Sequence, residues 1–319
     1  MKLYPFQLSH VTKSPIWGGV RLLNDWGKQS ESETVGESWE LTVRKNEKSV
    51  ICNGKHKGRT LESVLKEFGG NLIAPDFSDR EFPLLVKLID ACDALSVQVH
   101  PDDTYAKEVE NDRGKTEMWY IVEADEGAEL IFGLQDGATR EDFAKAIKEN
   151  DPERVLKRCP VHAGECYFIP AGMTHAIGKG ILIAEIQQNC DLTYRVYDYN
   201  RRGADGSLRE LHVEKALDVV RPFTVDEVEE IRYARRSDTL VNGDILADCE
   251  YFRVEKLTVK DAHVLPDCAR MRHVLCLSGE GAFAFEGERY PVFKGCSYFL
   301  PPLRGLAVEG DFVALVSSI

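Results

Sequence analysis

The chain alternates apolar and polar residues over many short stretches, a pattern typical of strands with one buried face. In the first two thirds of the sequence these stretches are residues 38–43, 84–89, 95–99, 119–122, 129–132, 166–169 and 181–187. Others follow at residues 251–259, 271–277, 282–285, 297–300 and 312–316. Helical apolar spacing is confined to residues 61–68, 140–149 and 212–219. We therefore predict a mainly β protein, built as barrels or sandwiches with short helical insertions.

A charged, turn-rich segment from Pro222 to about Asp244 separates the two groups of predicted strands. It contains the acidic stretch 226–230, and basic residues follow it. We interpret the segment as a connector between a first domain, residues 1–235, and a second domain, residues 236–319. An exposed helix or strand edge of the first domain is an alternative that the composition leaves open.

A motif between Gly164 and His175 predicts how one histidine is presented. Gly164 is followed by five residues and then by Pro170, Gly172 and His175 in the pattern Pro-x-Gly-x-x-His. Residues 166–169 are predicted to form a strand that Pro170 ends, and Gly172 permits a tight turn. The next strand would then carry His175 inward. This motif resembles the second motif of the cupin jelly-roll barrels.

The last part of the chain repeats this motif without its histidine. Gly295 is again followed by five residues and Pro301, but residues 302–305 contain no histidine. His263 and His273 lie nearby without an accompanying carboxylate motif. We therefore predict two cupin-type jelly-roll barrels, of which the first, catalytic one binds metal and the C-terminal one is degenerate and binds none.

Three separated stretches supply a mixed set of possible metal ligands: Gln98, His100, Glu117 and His175. Such a set is typical of a zinc ion that keeps one position open for substrate, because structural zinc sites rely on cysteine. Two histidines and a carboxylate also serve iron-dependent oxygenases, which are the enzymatic rival. A sugar-binding protein with a vestigial or structural metal is the non-enzymatic rival.

Composition and net charge limit the possible binding partners and the cellular compartment. The net charge is -13, which argues against nucleic acid or an anionic membrane as a partner, because both attract basic surfaces. No signal-peptide core is present and no apolar run approaches the roughly 20 residues of a membrane span, so we predict a cytoplasmic protein. The nine cysteines lack paired spacing and are predicted to be reduced. Six are predicted to fill cores: Cys52, Cys92, Cys159, Cys166, Cys276 and Cys296.

Five short motifs occur in order along about residues 1–220: GESWE at 36–40, LSVQVHPD at 95–102, KTEMW at 115–119, EIQQ at 185–188 and DLTYR at 191–195. Together they resemble the type I mannose-6-phosphate isomerases, in particular the shorter bacterial form. The resemblance implies a zinc-dependent aldose-ketose isomerase that interconverts D-mannose 6-phosphate and D-fructose 6-phosphate through a cis-enediol. It implies one zinc ion per chain and places the ligands at Gln98, His100, Glu117 and His175. The family's catalytic arginine falls on Arg195.

Such a reaction needs a group that moves a proton between neighbouring carbons. The candidates are Glu185, Asp191, Lys115 and a water molecule at the metal. Glu185 shares one face of the predicted strand 181–187 with apolar residues, and burial of that face would raise its pKa toward that of a general base. A structural carboxylate bonded to Arg195 or to an amide is the alternative. Lys115 is expected to contact substrate oxygens, and Arg195 to stabilise the enediolate or fix the substrate.

An anionic substrate requires local cations in so acidic a chain. Lys87, within an apolar run, and Ser96 are predicted to bind the phosphate group, with Arg201 or Arg202 as further candidates. Asp191 is also predicted to bind substrate. The expected partner is therefore a small-molecule sugar phosphate, with no nucleic acid and no membrane, and the chain is expected to be a monomer or homodimer.

Overall fold

The computed structural model describes residues 3–77, 81–203, 206–234 and 243–319. Its helices are α1 (Arg21–Asn24), α2 (Leu61–Phe68), α3 (Asp103–Val109), α4 (Arg140–Lys148), α5 (Val213–Val219) and α6 (Val225–Arg232). Short 3-10 turns lie at Gly54–His56, Gly70–Leu72 and Pro152–Val155. Within the described ranges, no helix combines the length and apolar character needed to cross a membrane.

The strands are mostly short and fall into an N-terminal and a C-terminal group. The N-terminal strands are β1 (Phe6–Leu8), β2 (Val11–Lys13), β3 (Glu37–Leu41), β4 (Leu84–Ala91), β5 (Val97–Val99), β6 (Glu117–Ala124), β7 (Glu129–Leu134), β8 (Leu156–Pro160), β9 (Cys166–Ile169), β10 (His175–Ile177), β11 (Ile181–Gln188) and β12 (Tyr194–Tyr197). The C-terminal strands are β13 (Asp244–Asp248), β14 (Arg253–Val259), β15 (His263–Val264), β16 (Arg272–Phe285), β17 (Glu288–Phe293), β18 (Ser297–Leu300) and β19 (Ala307–Ser318).

These strands pair in antiparallel sheets. One sheet has the order β2-β3-β4-β11-β6-β9, and a second has the order β12-β5-β10-β7-β8. The C-terminal sheet has the order β1-β18-β16-β19-β14-β13, with β15 on β19 and β17 on β16. The N-terminal strand β1 therefore joins the C-terminal sheet, where Phe6 lies opposite Phe299. The main apolar core includes both residues and continues through the strands of both groups.

Many helices and strands form at the residues where the apolar pattern predicted them. Strands β9 and β18 and helix α2 have the predicted bounds, and α4 and α5 differ from the prediction by one terminal residue. Strand β16 joins two predicted strands into one, with a change of register between Cys276 and Ser278. The mainly β prediction is therefore confirmed.

The segment interpreted as a connector contains a helix. Thr224 begins α6 through a capping box with Glu227, and Val228 buries its side chain. This local signal favours the alternative of an exposed helix for that part of the segment. The predicted boundary at residue 235 lies in 235–242, outside the described residues, so the domain division stays a prediction.

The prediction that six cysteines fill cores was wrong for Cys52, Cys92 and Cys159, whereas Cys166 packs against the main core. Cys52 and Cys92 are exposed, and Cys159 and Cys166 are partly buried. Cys92 lies in the turn after β4, where apolar neighbours in the sequence do not determine which way a side chain points. Cys276 and Cys296 are buried as predicted.

The start of α2 depends on Thr60. The Thr60 hydroxyl oxygen accepts a hydrogen bond from the Ser63 amide at 3.2 Å, and the helix buries Leu61 and Val64. Replacing Thr60 with alanine is expected to lower the free energy of unfolding by about 1 kcal/mol, because an amide of the first turn loses its partner. Denaturant unfolding would measure this change. Thr60→Ser keeps the acceptor and should retain most of the stability; equal losses in both variants would contradict the capping role.

Candidate metal centre and adjoining cavity

The predicted metal ligands come together because of strand register. Gln98 lies on β5 opposite His175, which begins β10. Glu117 begins β6, and His100 follows β5 directly. The turn before β10 requires Gly172, since its φ is +90° and a Cβ there would lie 2.9 Å from the Val219 carbonyl oxygen. The predicted glycine turn is therefore present.

The side chains of His100, Glu117 and His175 form a compact, buried group. The two Nε2 atoms lie 3.1 Å apart. The carboxylate oxygens of Glu117 lie 3.5 Å from Nε2 of His175 and 3.6 Å from Nε2 of His100. Side-chain exposure is at most 1% for the three residues. Separations of this size suit donor atoms that share one ion at about 2.0–2.2 Å from each.

The hydrogen bonds at this group leave donor atoms for a cation. Nδ1 of His175 lies 2.8 Å from the Met173 carbonyl oxygen, which only accepts, so this nitrogen carries the proton and Nε2 carries a lone pair. Oε1 of Glu117 has no hydrogen-bond partner among the described residues. A buried carboxylate oxygen without a donor is costly unless a cation is present. These residues therefore fit a metal ion.

The protonation states also suit metal binding. Burial lowers the pKa of His175 to about 3 and that of His100 well below its ordinary value, and Lys115 acts in the same direction. Both imidazoles are therefore neutral at pH 7. Burial raises the pKa of Glu117 to about 7, against the effect of Lys115. A bound divalent cation would favour the carboxylate form of Glu117.

Lys115 connects the metal group to a cavity. Its Nζ lies 2.6 Å from Oε2 of Glu117 and 3.1 Å from Nε2 of His100. Burial lowers the pKa of Lys115, but Glu117 and Glu185 outweigh burial and raise it, so the side chain is an ammonium group. Because Lys115 also lines the cavity, it places a hydrogen-bond donor between the metal ligands and any bound substrate.

The cavity has a volume of about 360 Å³, and the other predicted site residues line it. The predicted residues that line it are Gln98, Lys115, Lys87, Ser96, Glu185, Asp191 and Arg195. Four further polar or aromatic residues line it that the sequence analysis did not assign: Trp17, Glu37, Thr193 and Arg209. Glu37 lies in the GESWE motif and Thr193 in the DLTYR motif, so the sequence could have indicated both. No local sequence signal distinguishes Arg209.

Lys87 lies among carboxylates. Its Nζ is 3.3 Å from Glu185, 3.6 Å from Glu37 and 3.9 Å from Asp191. Burial lowers the pKa of Lys87, but these three carboxylates outweigh burial and raise it. The ammonium charge is therefore already matched by anions, which weakens the predicted phosphate-binding role of Lys87.

The predicted rise in the pKa of Glu185 is wrong. Glu185 is buried, as the strand pattern predicted, and burial alone would raise its pKa. The ammonium groups of Lys115 and Lys87 outweigh that effect, so the pKa falls to about 2. Oε1 of Glu185 also accepts a hydrogen bond from Nε1 of Trp119 at 3.0 Å. Glu185 is therefore ionised and oriented by Trp119 and Lys87.

Arg195 lies on the other side of Gln98 from His175. On β12 it is opposite Gln98, its Nε donates to the Ser96 hydroxyl at 3.2 Å, and its Nη1 donates to the Glu210 carbonyl at 2.8 Å. Gln98 thus lies between the metal ligands and Arg195. The candidate Arg202 is exposed and donates to the Gly206 carbonyl.

Comparisons with known proteins relate both parts of the chain to one group of enzymes. The family described as "Phosphomannose isomerase type I, catalytic domain" matches residues 5–144. The family described as "Mannose-6-phosphate isomerase, cupin domain" matches residues 243–319. The second match confirms the cupin class of the predicted fold.

Individual relatives match over nearly the whole length. A mannose-6-phosphate isomerase of Streptococcus mutans is 37% identical over 98% of each chain. The mannose-6-phosphate isomerase ManA of Bacillus subtilis is 38% identical over 100% of each chain. A crystal structure of the Bacillus subtilis mannose 6-phosphate isomerase superposes with a TM-score of 0.86, at 33% identity and 99% coverage of each chain.

Proposed function

The chain belongs to the type I mannose-6-phosphate isomerase family, and from this premise we propose that it interconverts D-mannose 6-phosphate and D-fructose 6-phosphate. The observation that carries the proposal is the buried group of His100, Glu117 and His175, joined by Lys115 to a cavity with ammonium and carboxylate groups. Moving a carbonyl between neighbouring carbons requires proton transfer and stabilisation of charge on oxygen. Such a site can supply both.

Zinc is the proposed metal, with one ion per chain. His100, Glu117 and His175 would be its ligands, and Gln98 would be a weaker fourth. Neutral imidazoles and one buried carboxylate without cysteine are typical of zinc sites that leave a position for substrate. When bound, the ion would polarise the carbonyl of the open-chain sugar without supplying a proton.

Glu185 is the proposed proton carrier. Its ionised carboxylate would take the proton from C2 of the open-chain aldose, while the electron pair of the C–H bond forms the C1–C2 double bond. The carbonyl oxygen then becomes the enediol oxygen. The O2 hydroxyl proton passes to this oxygen, and return of the first proton from Glu185 to C1, as the C2–O2 double bond forms, gives the ketose. Lys115, held as an ammonium group, is placed to donate hydrogen bonds to the sugar oxygens on which charge develops.

The remaining cavity residues would position the sugar. Asp191 and Lys87 offer an acceptor and a donor for hydroxyl groups, and Ser96 offers a hydroxyl beside Arg195. Sugar hydroxyls both donate and accept hydrogen bonds, so a lining of mixed charge suits them better than it suits an anion. The cation of Arg195 is proposed to fix the substrate in place for proton transfer.

Replacing Arg195 with glutamine is expected to lower kcat about 100-fold or more, because a misplaced substrate loses the alignment that proton transfer requires. Bound metal should stay at the wild-type level, because the guanidinium of Arg195 donates to Ser96 and to the Glu210 carbonyl rather than to the metal ligands. Steady-state kinetics and metal analysis would measure both. Arg195→Lys keeps the charge without the planar fork and should recover only part of the rate. Wild-type kcat in Arg195→Gln would refute the catalytic role.

We propose that the chain divides into domains 1–235 and 236–319, and that the barrel of the second domain binds no metal. In the first barrel Glu117 pairs with Ile169, which precedes Pro170. In the second barrel Arg272 pairs with Leu300, which precedes Pro301. Arg272 thus takes the position of Glu117. A buried guanidinium in place of a carboxylate ligand opposes binding of a cation.

The proposed partner is the sugar phosphate alone, and a monomer or homodimer stays our expectation. The net charge of -13 supports the absence of nucleic acid and of anionic membranes among the partners. A cytoplasmic location likewise stays a prediction.

A coupled assay that follows conversion of mannose 6-phosphate to fructose 6-phosphate would test the proposed reaction. Running it in deuterated water tests the enediol route as well, because a proton carried by Glu185 can exchange with solvent before it returns. We expect conversion with deuterium entering the product at C1. Absence of conversion in metal-loaded protein would refute the function, whereas conversion without any deuterium would contradict exchange of the carried proton with solvent.

A further inference from the structure

We propose that Arg209 binds the phosphate group of the substrate at the Arg195 end of the cavity, an inference that rests on the proposed function. Arg209 lies in the chain after β12 and lines the cavity together with Arg195 and Ser96. Its side chain is 29% exposed, so part of the guanidinium is accessible to a ligand. The ligand chemistry is that of a phosphate monoester dianion.

The first support is an excess of cationic groups at this end. Arg201 and Arg209 both contact the same carboxylate oxygen, Oδ1 of Asp198, at 2.5 Å and 3.3 Å. Arg201 has a second carboxylate partner in Asp93 at 3.3 Å, and it donates to the Ala94 carbonyl. Within the described residues, Asp198 is therefore the only carboxylate paired with Arg209, and Arg209 shares it with Arg201. In a chain of net charge -13, such a shared counter-ion marks a locally electropositive place.

The second support is the state of Arg195. Among the described residues, its guanidinium donates hydrogen bonds to neutral oxygens, those of the Ser96 hydroxyl and of the Glu210 carbonyl. Burial and the nearby cation of Arg209 lower the pKa of Arg195, even though Asp198 and Glu210 act in the opposite direction. Two guanidinium groups thus repel each other across this end of the cavity. A bound dianion would remove that repulsion.

The third support is the contrast with Lys87. Three carboxylates lie within 3.9 Å of its Nζ, so a phosphate there would meet their negative charges. The cavity residues at the Arg195 end include Ser96, which accepts a hydrogen bond from Arg195, and Arg209, whose cation acts on Arg195. Ser96 accepts from Arg195, which leaves its own hydroxyl proton for an acceptor such as a phosphate oxygen.

The geometry of arginine suits this task. The planar guanidinium offers paired donors that match two oxygens of a phosphate, so it fixes orientation as well as charge. A phosphate held here would anchor the far end of the open-chain sugar while its carbonyl end lies toward Gln98 and Lys115. Binding energy remote from the reacting carbons would then position them for proton transfer.

The test compares the affinity of inorganic phosphate for the metal-loaded wild type and for Arg209→Gln by calorimetry. We expect the Kd to rise about 10- to 100-fold, the effect of losing hydrogen bonds to a charged group. Arg209→Lys keeps the charge and the contact to Asp198, so it should fold and show a smaller rise. The matched control is Arg154→Gln, which removes a surface arginine paired with Glu149 and should leave the Kd unchanged.

An unchanged phosphate Kd in Arg209→Gln, or no measurable binding to the wild type, would overturn the subsite. Should Arg209→Gln fail to fold, a wild-type Kd in Arg209→Lys together with a wild-type KM for mannose 6-phosphate would do the same. Isomerase activity with unchanged phosphate affinity would refute only this inference. Arg209-dependent phosphate binding without isomerase activity would refute the proposed function and leave the subsite in place.

Discussion

Replacing His175 with alanine is expected to remove the metal and the isomerase activity together. Nε2 of His175 lies 3.1 Å from Nε2 of His100 and 3.5 Å from Glu117, so it is one of the donor atoms around the proposed ion. The ring is held in place by its Nδ1 hydrogen bond to the Met173 carbonyl. Loss of supporting groups alone costs about 10- to 100-fold in metal affinity, and loss of a direct ligand should cost more.

Metal analysis and a thermal unfolding series would separate this effect from misfolding. Metal that binds only the folded state raises its apparent stability, so chelation should lower the Tm of the wild type. The same treatment should leave the Tm of His175→Ala unchanged. His162→Ala is the matched control, since the His162 side chain is 80% exposed and pairs with Glu165. A full complement of metal in folded His175→Ala would contradict the ligand assignment.

Replacing Glu185 with glutamine is expected to lower kcat by about 10²- to 10⁴-fold, the usual contribution of a positioned acid or base. The substitution preserves shape and keeps an acceptor for Nε1 of Trp119. Lys87 retains Glu37 and Asp191 as counter-ions, so the fold should persist. Metal content should be that of the wild type. Exchange of the substrate C2 proton with deuterated solvent should fall in parallel with turnover.

Glu37→Gln is the control for this result. Glu37 also lies near Lys87, at 3.6 Å, but the proposed chemistry gives it no proton to carry. Its replacement should therefore reduce kcat much less than Glu185→Gln does. If Glu185→Gln turned over within 10-fold of the wild type, or if both variants lost activity equally, Glu185 would be a structural counter-ion of the lysines rather than the proton carrier.

The parts of the fold that were predictable rest on local signals. Strand β9 has the predicted bounds because Pro170 ends it, and the turn at Gly172 needs a positive φ. Helix α2 could be predicted because its apolar residues have helical spacing and lie on one buried face, and because Thr60 caps its first turn. Such features depend on a few consecutive residues, which the sequence displays directly.

The direction of the Glu185 pKa shift could not be predicted from the local sequence. The alternation along β11 predicted its burial, and β11 is buried along its whole length. The cations that decide its charge come from elsewhere: Lys87 lies across the sheet on β4, and Lys115 precedes β6. Strand pairing between segments about 100 residues apart sets these distances, and periodicity along one strand carries no information about them.

Arg209 illustrates the same difficulty for binding residues. It follows β12 in a stretch without regular secondary structure, so neither apolar spacing nor a motif distinguishes it from Arg201 and Arg202. Only the folded chain places Arg209 in the lining of the cavity and Arg202 in an exposed position. The sequence alone could therefore not indicate Arg209 as a candidate, because its place in the cavity lining is set by tertiary structure.

The central claim is that metal bound by His100, Glu117 and His175 makes this chain an isomerase. The most direct measurement removes the metal with a chelator and then follows conversion of mannose 6-phosphate while zinc is added back in known amounts. The account predicts that activity disappears on chelation and returns in proportion to bound zinc, with saturation at one ion per chain. Full activity in metal-free protein, or no activity at full zinc occupancy, would contradict it.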